Sequence, residues 1–98
     1  MKKPNILFIP IDDLRPQLGC YGHTQMITPN LDGLADRGVV FRQAYCQVPV
    51  CGATRASLLT GRRPKRERFV SYMTWVDRDL PGARTLPQHF RENGYNTV

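Results

Sequence analysis

No stretch of this 98-residue chain approaches the ~20 consecutive apolar residues needed to cross a bilayer, so no membrane association is expected. No secretory leader is expected either: behind Met1, Lys2 and Lys3 the apolar run 6–11 is broken by Pro10 and stopped by Asp12, short of the ~7 to 15 residues of a signal core. With Met1 as the native start the expected location is cytoplasmic; with any other start, periplasmic or secreted. Cysteine is scarce, and Cys20, Cys46 and Cys51 cannot all pair within one chain. Four residues separate Cys46 from Cys51, which fits neither a redox C-x-x-C nor a zinc knuckle. Cys20 and Cys46 are therefore read as small buried apolar residues. Internal repeats and low-complexity segments are absent. Acidic residues are few, 8 against 14 Lys and Arg, for a net charge of +6.

The excess cations crowd into Arg55, Arg62, Arg63, Lys65, Arg66 and Arg68. This cluster is either a field that attracts an anion or a solvated loop whose balancing carboxylates lie elsewhere. Stacking aromatics are not interleaved with it, and no helix-turn-helix, zinc-finger or ribonucleoprotein motif accompanies it, so no nucleic-acid partner is expected. Hydrophobic content of 41% and charged content of 22% are those of a chain that folds around a core.

Residues 5–11 form a short, nearly continuous apolar run, the pattern of a strand buried on both faces of a parallel sheet. Thr28-Pro29-Asn30 opens a helix carrying Leu31, Leu34 and Ala35 at helical spacing, with Gly38 as a left-handed stop. Val39-Val40-Phe41 reads as a second strand, and the strand, helix, strand order predicts an α/β fold. A second helix begins just after Cys51 and runs through Leu58 and Leu59 to Gly61; residues 62–82, holding Pro64 and Pro81, read as a long loop. Thr85 with Gln88 three residues on is a capping box for a last helix, closed by Gly94. Gly94-Tyr95-Asn96-Thr97-Val98 reads as a helix stop and the start of an unfinished strand. Residues 1–98 are thus expected to be the N-terminal fragment of a larger domain.

Two groups of residues carry chemistry. Asp12 and Asp13 end the first apolar run, where α/β sheets bind ligands, and offer hard oxygens suited to Ca²⁺ or Mg²⁺; a solvated turn with a capping aspartate fits the same dipeptide. Cys51 starts a helix with Arg55 one turn above it on the same face. A helix N-terminus and a nearby cation favour an anionic sulfur, a sensible nucleophile for an anionic ester, although a cysteine opening an ordinary helix has the same sequence. A tyrosine-phosphatase loop is excluded, because its arginine would fall at Ser57.

In combination these segments resemble the sulfatase family. Cys51-Gly52-Ala53-Thr54-Arg55 with Leu58-Leu59-Thr60-Gly61 is similar to its signature, C-x-P-x-R followed by an apolar pair and Thr-Gly. The run 5–13 resembles its first metal segment, and Thr28-Pro29-Asn30-Leu31-Asp32, Thr85-Leu86-Pro87 and Gly94-Tyr95 fill the intervals in family order. Asp12-Asp13-Leu14-Arg15-Pro16, Leu18-Gly19-Cys20-Tyr21-Gly22 and Thr60-Gly61-Arg62-Arg63-Pro64 are most similar to the iduronate-2-sulfatase branch, which acts on 2-O-sulfated uronic acids.

The resemblance implies an alkaline-phosphatase-like sheet sandwiched by helices and a sulfated carbohydrate substrate. It implies a Ca²⁺ held by Asp12, Asp13 and residue 51, with Cys51 oxidised to formylglycine as the nucleophile and Arg55 steadying its hydrated side chain. Ala53 stands where the family usually has proline, and Thr54 where serine is common. A formylglycine-installing maturase is an expected partner, and Ala53 points to the radical type. Two alternatives remain: a phosphodiesterase or phosphonate hydrolase of the same fold, and a non-catalytic sulfated-glycan binder with unconverted Cys51.

Overall fold

The computed structural model describes residues 3–98; Met1 and Lys2, part of the charged start weighed above as a leader, lie outside them. The chain divides into two compact units, residues 1–44 and 45–98. Its regular elements are a 3-10 turn at Gly19–Tyr21 and helices α1 (Pro29–Ala35), α2 (Cys51–Thr60), α3 (Val76–Asp79) and α4 (Leu86–Glu92). None is long and apolar enough to cross a membrane.

The first unit is held by polar contacts around one carboxylate. Asp32, in α1, accepts the Cys20 backbone N–H at 2.7 Å and the Thr28 hydroxyl at 3.1 Å, while Thr28 Oγ1 accepts the Gly19 N–H at 3.0 Å. These bonds fasten the 3-10 turn to the start of α1, where Pro29 sits at a position that needs no N–H donor. The helix ends at Ala35, with Asp36 still right-handed. Gly38 is therefore not the left-handed stop expected of it: it is absent from the positive-φ glycines, and its need is steric, since a Cβ there would lie 3.0 Å from the Leu34 carbonyl oxygen.

Neither expected strand forms. Residues 5–11 and 39–41 are without regular structure, and the described residues contain one isolated bridge, Lys65 with Arg68, and no strand. A strand, unlike a helix, draws its hydrogen bonds from a neighbour, and neither apolar run finds one among the described residues. Nor are the runs buried: Leu7 is 85% and Phe41 70% exposed. Ile9 at 66% and Val39 at 80% are exposed too, so the first unit leaves apolar surface uncovered.

The second unit has a small core. Ala53 and Ala56 of α2 are buried with Phe69, and Val48, Val50, Val76 and Leu80 pack around them. Phe69 holds φ 59°, a left-handed conformation that costs a bulky residue ~1–2 kcal/mol. Full burial of its ring, worth about 1.5–3 kcal/mol, offsets that strain. Residues 62–82 are thus more ordered than the expected loop, holding a tight turn at Lys65–Arg68, buried Phe69 and α3.

The last helix follows its sequence signals closely. Gln88 Oε1 accepts the Thr85 backbone N–H at 2.8 Å and its hydroxyl at 2.9 Å, tying the entry of α4. At its exit Gly94 takes φ 78°, the Gly94 N–H donates to the Arg91 carbonyl at 3.1 Å, and the Tyr95 N–H donates to the Phe90 carbonyl at 3.1 Å. That is a Schellman cap, completed by an edge-to-face contact of Phe90 and Tyr95 with centroids 5.1 Å apart. Gly94→Ala should lower stability by about 1–2 kcal/mol, whereas Gly94→Asn, which tolerates the left-handed region, should lose less. Thermal unfolding of the two variants side by side checks this; equal losses would refute the role given to the cap.

Candidate active site

Helix α2 sorts its residues by face. Ala53, Ala56 and Ser57 are buried, at the spacing of one helical stripe. Cys51, Arg55 and Leu58 are exposed, at the spacing of the opposite stripe. Burial of one stripe therefore fixes the direction of the other. Cys51 is itself the first helical residue, where the helix dipole places partial positive charge, and Arg55 follows one turn on.

The approach to Cys51 is fixed by a residue the motif alone does not single out. Thr54 Oγ1 donates a hydrogen bond to the Val48 carbonyl, and its N–H donates to the Val50 carbonyl at 2.9 Å. Together they fold residues 48–50 back against the first turn of α2. Gly52 is a second such residue. A Cβ at this position would collide with the Tyr72 carbonyl and come within 3.0 Å of the Ser71 carbonyl oxygen, so only glycine allows residues 71–72 to pack against the turn that carries Cys51. At the far end, Gly61 takes φ 64° and the buried Ser57 hydroxyl donates to the Arg62 carbonyl at 2.8 Å, closing the helix.

Asp12 and Asp13 belong to the first unit, Cys51 and Arg55 to the second. The two aspartates occupy a turn at the end of the run 5–11, both exposed, and Asp13 takes φ 56°. Aspartate adopts that left-handed conformation more readily than most residues. Their donor chemistry fits a hard cation such as Ca²⁺. They can be only part of a ligand set: among the described residues no group of three or more His, Cys, Asp or Glu side chains could hold a metal, and calcium takes ~6–8 oxygens.

The other two cysteines correct an expectation. Cys46 is exposed and Cys20 half-buried, so neither is the fully buried apolar residue foreseen for them. In so small a core three residues, Ala53, Ala56 and Phe69, take the buried apolar positions.

Comparison with known proteins places these features in a family. The Sulfatase family model matches residues 4–98. The chain is 46% identical over 94 residues to mouse iduronate 2-sulfatase and 44% identical over 94 residues to the human enzyme, in each case over 96% of this chain and 17% of the relative. An arylsulfatase of Clostridium perfringens is 41% identical over 96 residues, covering 97% of this chain and 20% of the relative. The chain thus spans about a fifth of the length of these relatives or less. The shared segment includes the aspartate pair and the whole of α2, and the chain belongs to the sulfatase family.

Proposed function

We propose that this chain is the nucleophile-bearing part of a sulfatase catalytic domain that hydrolyses sulfate esters on sugars, with 2-O-sulfated uronic acids as the substrate class. One observation carries the reading: Cys51 opens α2 on its exposed face with Arg55 one turn behind, within a chain 46% identical to an iduronate 2-sulfatase. The fold proposed for the complete domain is the family's alkaline-phosphatase-like sandwich, in which the exposed runs 5–11 and 39–41 would find strand partners.

The residues divide the work by their chemistry. Arg55 carries a permanent charge on a planar fork of donors, suited to holding two oxygens of a sulfate group at once. Asp12 and Asp13 would hold the calcium ion, which when bound offsets negative charge on sulfate oxygens. Cys51, oxidised to formylglycine, would supply a hydroxyl nucleophile in its hydrated form. The buried stripe of α2 holds residues 51 and 55 on one exposed face, where both would meet an anionic ester from the same side. The maturase proposed is the radical type, because Ala53 stands in place of the family's proline.

Turnover of a sulfated uronic-acid disaccharide by the protein that contains this chain tests the function, alongside mass analysis of the peptide bearing Cys51. Desulfation, with the peptide lighter by the exchange of one sulfur and two hydrogens for one oxygen, is the expected result. Preferential cleavage of phosphate diesters or phosphonates would move the protein to its alternative chemistry, and an intact thiol without turnover would make it a glycan binder.

The calcium assignment makes a separate prediction. Asp12→Asn and Asp13→Asn keep the size and backbone tolerance of aspartate while removing its charge. Each should cost roughly a hundredfold or more in kcat, as loss of a main charge-stabilising group does, and should lower calcium content with little change in thermal stability measured without calcium. Unchanged calcium content in the double variant would contradict it.

A further inference from the structure

The second unit contains a cavity of about 710 Å³ between the end of α2 and residues 80–84, which the proposed chemistry does not use. Five of its lining side chains, Arg62, Arg63, Lys65, Arg68 and Arg84, are cationic and none is acidic. Arg84 is ion-paired with Glu92 at 2.7 Å. Among the described residues, no carboxylate within 4 Å neutralises the other four; Glu67, at the tip of the same turn, is exposed and does not line the cavity.

Local structure alone does not explain this gathering of charge. A helix C-terminus favours a cation or two in its last turn and just beyond, which accounts for Arg62 and Arg63. It does not account for Lys65 and Arg68, which face one another across the 65–68 bridge, their backbones paired at 2.9 and 3.1 Å. Like charges in directly opposed positions destabilise such a pair. Arg68 is also held in place: its Nη2 donates to the Arg63 carbonyl at 2.8 Å, its guanidinium carbon lies 5.4 Å from the Phe69 ring centroid, and Phe69 is fully buried. The Arg68 Nε is buried with no hydrogen-bond partner among the described residues, so its position is set by the Nη2 bond and the Phe69 ring.

We propose that this cavity is a second anion subsite, which takes a sulfate or carboxylate group on a sugar other than the one desulfated, so that the protein prefers multiply charged glycan chains. The volume falls within the roughly 300–1,000 Å³ of ordinary ligand sites and suits a saccharide unit. Aromatic side chains are missing from the lining, which disfavours a single-stranded nucleic acid, whose bases bind by stacking. The glycan assignment rests on the sulfatase reading; the anion preference rests on the cavity alone.

The test uses the protein that contains this chain and its Arg63→Gln/Lys65→Gln double variant, which leaves Cys51, Arg55 and the half-buried Arg68 untouched. Binding of a heparin-derived tetrasaccharide, measured by calorimetry at several salt concentrations, should weaken roughly tenfold in the variant and become less salt-dependent. KM for that tetrasaccharide should rise while kcat and the rate on a small aryl sulfate stay unchanged. Tetrasaccharide affinity that is indifferent to the double variant would overturn the subsite even if aryl sulfate turnover is normal. Binding of a single-stranded oligonucleotide of equal charge as tightly as the tetrasaccharide would overturn it too, by showing an unselective field. If the protein hydrolyses no sulfate ester but the variant still loses tetrasaccharide affinity, the catalytic reading fails and the subsite stands.

Discussion

The contact of Gly52 with the backbone of residues 71–72 is the constraint from which the arrangement of the second unit follows. A glycine in a helix is ordinarily a loss of ~0.5–1 kcal/mol relative to alanine. Here the missing Cβ admits the Tyr72 carbonyl against the first turn of α2. With that turn seated, Ala53, Ala56 and Ser57 go into the core, and Cys51, Arg55 and Leu58 are left on the outer face. Thr54 adds a second fastening by drawing the Val48 carbonyl onto its hydroxyl. The position of Cys51 is therefore set by small side chains and by backbone approach more than by large apolar contacts.

The two units differ in what holds them. In the first, Asp32 and Thr28 tie a 3-10 turn to a helix through hydrogen bonds, and no described residue is fully buried. In the second, Phe69 anchors a core of three buried apolar residues and in doing so steadies Arg68. Both leave large side chains in solvent, Ile6, Leu7, Phe8 and Ile9 in one and Tyr72 and Trp75 in the other. Exposed apolar groups of this size are surfaces suited to further contacts.

How much the sequence could tell depended on whether the determinant was local. Pro29, Gly61, the Thr85-Gln88 box and Gly94 act within a turn of where they sit, and helices α1, α2 and α4 appear where these residues place them. The run 5–11 has the right composition for a strand, yet pairing is a property of two segments and cannot be read from one. Helix α3 has four residues and no period to detect. Cys51 and Arg55 were visible as an i, i+4 pair, whereas Gly52 matters because of a carbonyl twenty residues away, Gly38 because of the Leu34 carbonyl rather than a left-handed stop, and Cys46 is exposed although its composition suggested burial.

If the seat at Gly52 sets the position of Cys51, enlarging that residue should harm catalysis in step with the helix it displaces. The most direct measurement is the kcat of Gly52→Ala for a sulfate ester, taken with its thermal midpoint and the mass of the peptide bearing Cys51. The account predicts a fall in kcat of roughly a hundredfold, as small misplacements of reacting groups produce, together with a lower midpoint despite alanine's better helix propensity. A Gly52→Ala protein with unchanged kcat and a midpoint equal to or above that of the parent would contradict it.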